Sequence, residues 1–368
     1  MRRHLALVDS MRSVVALLIT LSHGMIVLSS HGFFPIVSEG RTGGVDFFFT
    51  LSGFLIFYVY QGQLGAGALN ARSFLRKRFM RIYPLVWFFT ALSIPVLLAF
   101  PGIGSPHDRE LGVIIKSFLL IPQQESPVLG ALWSLSHVVL FYLVFSTAIA
   151  HKRLGLVLMV AWAALLVMGI VTTQTVCAGF CDSSVALAFL MSAFNLDFLV
   201  GCLLAWLVRT QRGLPAWLGP VLLTAGGVAY VFGWSAGMGL DRLGVFATYL
   251  AGASCLLLGC AVIDLHRSVK VPRLVTELSN ASYAIIVINL PVIVAVTKLA
   301  VWLFPAQREH GWALLALAVV CAGVGGVLVS RWLEPQLRRQ TEAALDAASS
   351  VMGRWCHRWR SRAANDVG

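Results

Sequence analysis

Leu5-Ala-Leu-Val-Asp9-Ser-Met-Arg12-Ser-Val-Val-Ala-Leu-Leu-Ile-Thr-Leu-Ser-His23-Gly-Met-Ile-Val-Leu28 is an apolar run that carries a cation and an imidazole. Its length of more than about 20 residues is enough to cross a bilayer as a helix. Arg12 and His23 are eleven positions apart. At about 100° per residue they fall on one helix face, separated by roughly 16 Å along the axis. Both are costly in lipid, so this stripe is expected to face a polar interior. Asp9, three residues before Arg12, can pair with it across one turn and lower the cost of burying both. The start, Met1-Arg-Arg followed by apolar residues, looks superficially like a secretion signal. The charges at Asp9 and Arg12 and the lack of a small-residue cleavage site make it read as an uncleaved first helix.

The rest of the chain repeats the apolar theme. Of its 368 residues, 58% are hydrophobic and 12% charged, and mean hydropathy is +0.82. Soluble domains carry about 25% charged residues, so the composition specifies a multi-pass membrane protein with one membrane domain. Ten apolar spans are predicted, at 5–30, 44–61, 82–100, 131–150, 154–174, 185–207, 215–234, 243–263, 279–304 and 311–333. The fold expected is an all-α polytopic bundle of about ten transmembrane helices, with both termini cytoplasmic. Residues 1–340 form the membrane domain, and 341–368 form a basic amphipathic tail on the inner membrane surface.

A formal net charge of +12 raises the question of nucleic acid. Its distribution answers against it. All but six of the 28 lysines and arginines fall in the segments assigned to the inside; Arg41, Arg109, Lys116, Arg242, Lys298 and Arg308 are the others. This is the positive-inside pattern, so topology accounts for the charge and membrane lipid is the expected polyanion. Cys177 and Cys181 share an outside loop, where an oxidising compartment permits a disulfide. The cysteines and histidines form no recognisable metal-ligand pattern.

Four further stretches carry chemistry-bearing residues. Gly43-Gly-Val-Asp46-Phe-Phe-Phe-Thr-Leu-Ser-Gly53 brings a carboxylate into the membrane from the side toward which His23 leans. Asp46 can orient an imidazole, or simply serve the helix dipole at its own N-terminus. Phe74-Leu-Arg76-Lys-Arg78-Phe-Met-Arg81-Ile-Tyr-Pro84 puts arginines on the inside, where guanidinium forks suit phosphate and where basic residues are expected in any case. Leu132-Trp-Ser-Leu-Ser-His137 offers a second histidine, more simply read as a packing residue, and Phe141-Tyr142 follows. Asp197 and Asn289 are polar residues inside later spans. The long outside connection, 101–130, contains the apolar segment Leu111 to Ile121, which is too short to span and suits an interfacial or re-entrant piece.

In order and approximate spacing these motifs resemble the acyltransferase 3 family of integral membrane O-acyltransferases, over about residues 5–340. The likeness is nearest to bacterial members that acetylate exopolysaccharide or lipopolysaccharide sugars. It implies transfer of an acyl group, acetyl in the leading reading, from cytoplasmic acyl-CoA to a carbohydrate hydroxyl outside the inner membrane. No permanently bound cofactor is implied; acyl-CoA is a donor substrate. His23, Arg12 and Asp46 are the expected catalytic set, and Arg76, Arg78 and Arg81 the expected holders of the CoA phosphates. His137, Asp197 and Asn289 are further candidates. Glycan-assembly proteins are possible partners.

Two positions depart from the family pattern. Val138 stands where the family usually has a glutamate, and Asn289 where it often has a histidine. On those positions rests the alternative reading, a catalytically silent component of a glycan assembly system. A secondary transporter, drawing on Arg12, Asp46, Asp197 and Lys298, ranks last because no inverted repeat is visible.

Overall fold

The computed structural model describes residues 4–34, 42–100, 102–173, 184–210, 213–236, 241–304 and 310–348. Among them the regular structure is helical: α1 (Ala6–Ser30), α2 (Gly44–Tyr60), α3 (Ala68–Ala99), α4 (Leu111–Leu119), α5 (Trp133–Ala150), α6 (Lys152–Thr173), α7 (Val185–Leu190), α8 (Phe194–Thr210), α9 (Leu218–Ala236), α10 (Arg242–His266), α11 (Arg273–Leu303) and α12 (Gly311–Leu328). Ten helical stretches are long and apolar enough to cross a membrane, α7 and α8 counting as one. The predicted all-α class with ten candidate spans holds among the described residues. Large apolar side chains on the outside of the bundle, such as Val157, Val160, Val231 and Val320, are exposed as a lipid-facing belt requires.

Three boundaries differ from expectation. The basic segment at 72–81, expected as an inside loop, is the first half of α3, which runs unbroken from Ala68 past Pro84 and Pro95. Its alternation of Phe74, Leu75 and Phe79 with charged residues keeps an apolar stripe against the core, so polarity on the other face does not end the helix. α11 likewise begins at Arg273, before the apolar span. The last span, expected to end at 333, continues from α12 through a π-turn at Val329–Leu333 as one helix to Ala348, which takes in the first residues of the expected tail. Two ion pairs tie it to its neighbours, Arg331 to Glu277 of α11 at 2.6 Å and Asp346 to Arg76 of α3 at 3.1 Å, and Arg338 pairs with Glu334 within it. Trp355, Trp359, Cys177 and Cys181 lie outside the described residues.

Two features fix the site-bearing helices. α1 has no cap from its own side chains. Instead the buried carboxylate of Asp264, at the end of α10, accepts from the Leu7 and Val8 amides at 2.8 and 3.2 Å. That serves the orphan donors and the positive end of the α1 dipole together. α2 and α8 meet backbone to backbone at a pair of glycines. A Cβ on Gly53 would run into the Phe198 carbonyl, and one on Gly201 into the Thr50 carbonyl. Small residues at such a crossing are what membrane helices use to approach closely. The bundle has a near end, where α1, α3 and α11 begin, and a far end, where α2, α5, α8 and α10 begin.

Candidate active site

Near-end arginines gather first. A cavity of about 110 Å³ is lined by Arg12 from α1, Arg78 and Arg81 from α3, Ser52 from α2, Tyr142 from α5 and Tyr283 from α11. Arg12 is paired with Asp9 at 3.2 Å, as its spacing predicts. Arg78 donates to the Tyr60 hydroxyl at 3.2 Å, and its guanidinium carbon lies 5.2, 5.4 and 5.7 Å from the centres of the Tyr60, Phe74 and Tyr142 rings. Such an aromatic box holds a guanidinium rigidly while leaving its charge intact. Its Nε is buried with no hydrogen-bond partner. Arg81 is close enough to Arg12 and Arg78 to feel both charges, with Glu334 the acidic counterweight. Three guanidiniums around one small cavity suit an anion of more than one charge. Arg76 is not among the lining residues; it is exposed and engaged with Asp346.

His23 occupies the far half of α1. Its Nδ1 lies 3.0 Å from Oδ1 of Asn289, which is fully buried on α11. The Asn289 amide nitrogen faces the Thr20 hydroxyl at 3.5 Å, and that hydroxyl donates to the Ala16 carbonyl at 2.7 Å. The chain of donors has one consistent direction. Thr20 has spent its hydrogen, so it accepts from Asn289 Nδ2; Asn289 Oδ1 then accepts, and His23 Nδ1 must donate. A neutral His23 therefore carries its lone pair on Nε2. Asn289 thus takes the orienting place that the sequence offered to Asp46. Asp46 instead interacts with Asp197 and Tyr230. Asp197 is fully buried with neither carboxyl oxygen hydrogen-bonded. His23 is not among the residues lining the arginine cavity, whose α1 wall consists of Arg12 and Val15.

A second histidine is built the same way. His137 Nδ1 lies 2.9 Å from Oδ1 of buried Asn195, whose amide nitrogen donates to the Phe189 and Leu190 carbonyls at 2.8 and 3.1 Å. Both amide hydrogens being used, Asn195 Oδ1 accepts and His137 Nδ1 donates. The His137 ring packs against Phe189, with centroids 4.1 Å apart.

The family model described as an acyltransferase domain matches residues 5–334. The chain belongs to the acyltransferase 3 family. Over 100 residues this family member is 33% identical to "Protein 2 in picA locus" of Rhizobium radiobacter, a match covering 27% of the chain and 49% of that relative. The chain thus spans about half the length of the curated relative it matches. No solved structure matches it.

Against the family pattern both departures acquire a location. Val138 lines the arginine cavity, so an acid there would face the guanidiniums directly. Asn289 holds His23. Sequence reasoning singled out Asn289 as a departure and a further candidate, without His23 as its partner, and passed over Thr20 and Tyr60. The available signal was polar residues inside apolar spans, which rarely lack a partner.

Proposed function

We propose that this protein transfers an acyl group, acetyl in the leading case, from cytoplasmic acyl-CoA to a hydroxyl of a carbohydrate outside the bacterial inner membrane. The observation that carries the reading is the division of labour between the two ends of the bundle: a trio of guanidiniums, Arg12 on α1 with Arg78 and Arg81 on α3, at the near end, and an imidazole with its Nε2 lone pair set free in the far half of α1. The near end carries the basic segments and is read as cytoplasmic.

In this scheme Arg78 and Arg81 on α3 hold donor phosphates, while Arg12, on the α1 face that also carries His23, guides the donor arm toward His23. The arginine cavity and His23 are roughly 16 Å apart along α1, a gap for the extended pantetheine arm to cross. His23 Nε2 takes the proton of the sugar hydroxyl as its oxygen attacks the thioester carbonyl. The C–S bond breaks, the acyl ester forms, and the thiolate leaves toward the arginines and takes up the proton. Asn289 keeps Nδ1 protonated throughout, so the base is always Nε2. Lipids and glycan-assembly proteins are the expected surroundings.

The test is acyl transfer by purified protein in liposomes, with labelled acetyl-CoA on the near side and extracted envelope glycans on the far side. Label on glycan that disappears with His23→Ala supports the proposal; undiminished turnover in that variant removes His23 from the chemistry. Val138 favours a second reading, a donor-binding relative that is catalytically silent. Silence in the parent and activity in Val138→Glu would establish that reading.

A further inference from the structure

A cavity larger than the arginine cavity lies elsewhere in the bundle. A far-end chamber of about 280 Å³ lies between the 121–127 connection, the start of α5 and the α7–α8 corner. Its volume sits just below the roughly 300–1,000 Å³ typical of small-molecule sites, so it has room for about one sugar ring. Trp133, Ser136 and His137 line it from α5, whereas Leu135, Val138 and Tyr142 of the same helix line the arginine cavity. At about 100° per residue these two sets are on opposite faces of α5. The chamber is therefore a separate compartment, and nothing in the transfer scheme above uses it.

Its walls are held in place. α4 is tied to α3 by Trp87 donating to the Phe118 carbonyl at 2.9 Å and Tyr83 to the Leu119 carbonyl at 3.2 Å. Ser117 on α4 accepts from the Val128 amide at 3.0 Å, closing the 121–127 connection over the chamber. Gln123 turns its amide nitrogen toward Ser117 at 3.4 Å, which leaves Oε1 buried without a partner. Ser192 Oγ, on the opposite wall, is also buried and unpartnered. Gln123 is 8% exposed and Ser192 3%, so each unpartnered oxygen meets an occupant of the chamber by a turn about its own side-chain bonds. His137, with Nδ1 committed to Asn195, has its remaining ring nitrogen as an acceptor. Buried polar groups left in this state cost stability unless a ligand completes them.

We propose that this chamber is a docking subsite for a neutral, hydroxyl-rich ring: a sugar residue of the acceptor glycan next to the one that is modified. The inference rests on the carbohydrate-transfer reading and extends it to a site of its own. Hydroxyls both donate and accept, so one ring can donate to Gln123 and His137 and satisfy Ser192 in either sense. Trp133 supplies an aromatic wall for the apolar face of a ring. Charge selects against anions, because the described lining residues include Glu125 and no lysine or arginine. A phosphorylated or uronic ligand would meet repulsion there, in contrast to the arginine cavity.

The experiment is equilibrium binding to the full-length protein in nanodiscs, without acyl-CoA, using methyl glycosides of glucose, galactose and mannose beside glucuronate. At least one neutral glycoside should bind, with glucuronate weaker. Gln123→Ala and Ser192→Ala should each weaken binding, by up to about tenfold for one lost hydrogen bond. Ser192→Ala removes a single unpartnered atom, so a melting temperature no lower than the parent's checks that the fold is intact. The proposal is overturned if no neutral glycoside binds, if glucuronate binds as well as they do, or if both variants bind like the parent. Sugar bound in the chamber of a protein that transfers no acyl group leaves this inference standing and removes the transfer reaction. Transfer without chamber-dependent binding does the reverse.

Discussion

Replacing Asn289 with leucine isolates the orientation of His23 from everything else in the site. The two side chains are close in size, and Asn289 is fully buried, so packing is nearly conserved. What disappears is the Oδ1 acceptor at 3.0 Å from His23 Nδ1, together with the contact to Thr20 at 3.5 Å. An N–H left unsatisfied in such surroundings costs about 1–3 kcal/mol. The ring can escape part of that cost only by moving its proton to Nε2, which removes the base. Either way the transfer step loses a comparable amount, roughly a 5- to 160-fold fall in kcat. The KM for acetyl-CoA should hold, because neither His23 nor Asn289 lines the arginine cavity. Asn289→His offers an acceptor nitrogen at the same place and should recover a large part of the rate. The assay is initial-rate transfer of labelled acetyl groups in proteoliposomes, with melting temperature recorded for each variant. A stable Asn289→Leu protein with parental kcat, or one that loses only acetyl-CoA affinity, refutes the orientation argument.

Arg78→Ala combined with Arg81→Ala should weaken acetyl-CoA binding by at least tenfold, given about 1.5–3 kcal/mol per hydrogen bond to a charged group. Titration calorimetry in detergent reads this, and Arg78→Lys should fall between, since it keeps charge but loses the fork and the aromatic box. Gly53→Val should destabilise the bundle by about 1–3 kcal/mol or more, because the α2–α8 backbones cannot separate without undoing their packing. A thermal melt unchanged from the parent would contradict the close crossing. His107, exposed at the far end, is held above its ordinary pKa of 6.5 mainly by its hydrogen bond to Glu110, with Glu125 adding to it. Its folded pKa being raised, the pairing contributes fully below about pH 6.5 and is lost as pH rises through the higher folded value. The His107 resonance should titrate above 6.5 in the parent and move down in Glu110→Gln.

Much of the fold is legible in the sequence because lipid imposes a blunt rule: long apolar runs, with basic residues kept to one side. That rule finds the spans but misplaces the ends of α3 and α11, where arginines continue a helix that hydropathy alone would stop. The same limit made the start of α3 look like a loop. Within the site, residues sharing one helix are predictable from spacing, which is why Arg12–Asp9 appears as expected. Partners on different helices are not. Nothing local to His23 says that α11, more than 260 residues later, supplies its acceptor. The far-end chamber is the least legible part. Gln123 and Ser192 sit at corners without periodicity, and their significance lies wholly in which oxygens the fold leaves unserved.

The carboxylate of Asp264 over the first turn of α1 has a consequence for how the protein is made. α1 leaves the ribosome long before α10, and its cap arrives only when α10 has been synthesised and inserted. Until then the opening turn that precedes Arg12 has no carboxylate to hold its amides. The helix that carries Arg12 and His23 is thus begun well before it is completed. A chain released before residue 264 would own His23 and Arg12 yet lack the anchor that sets their depth.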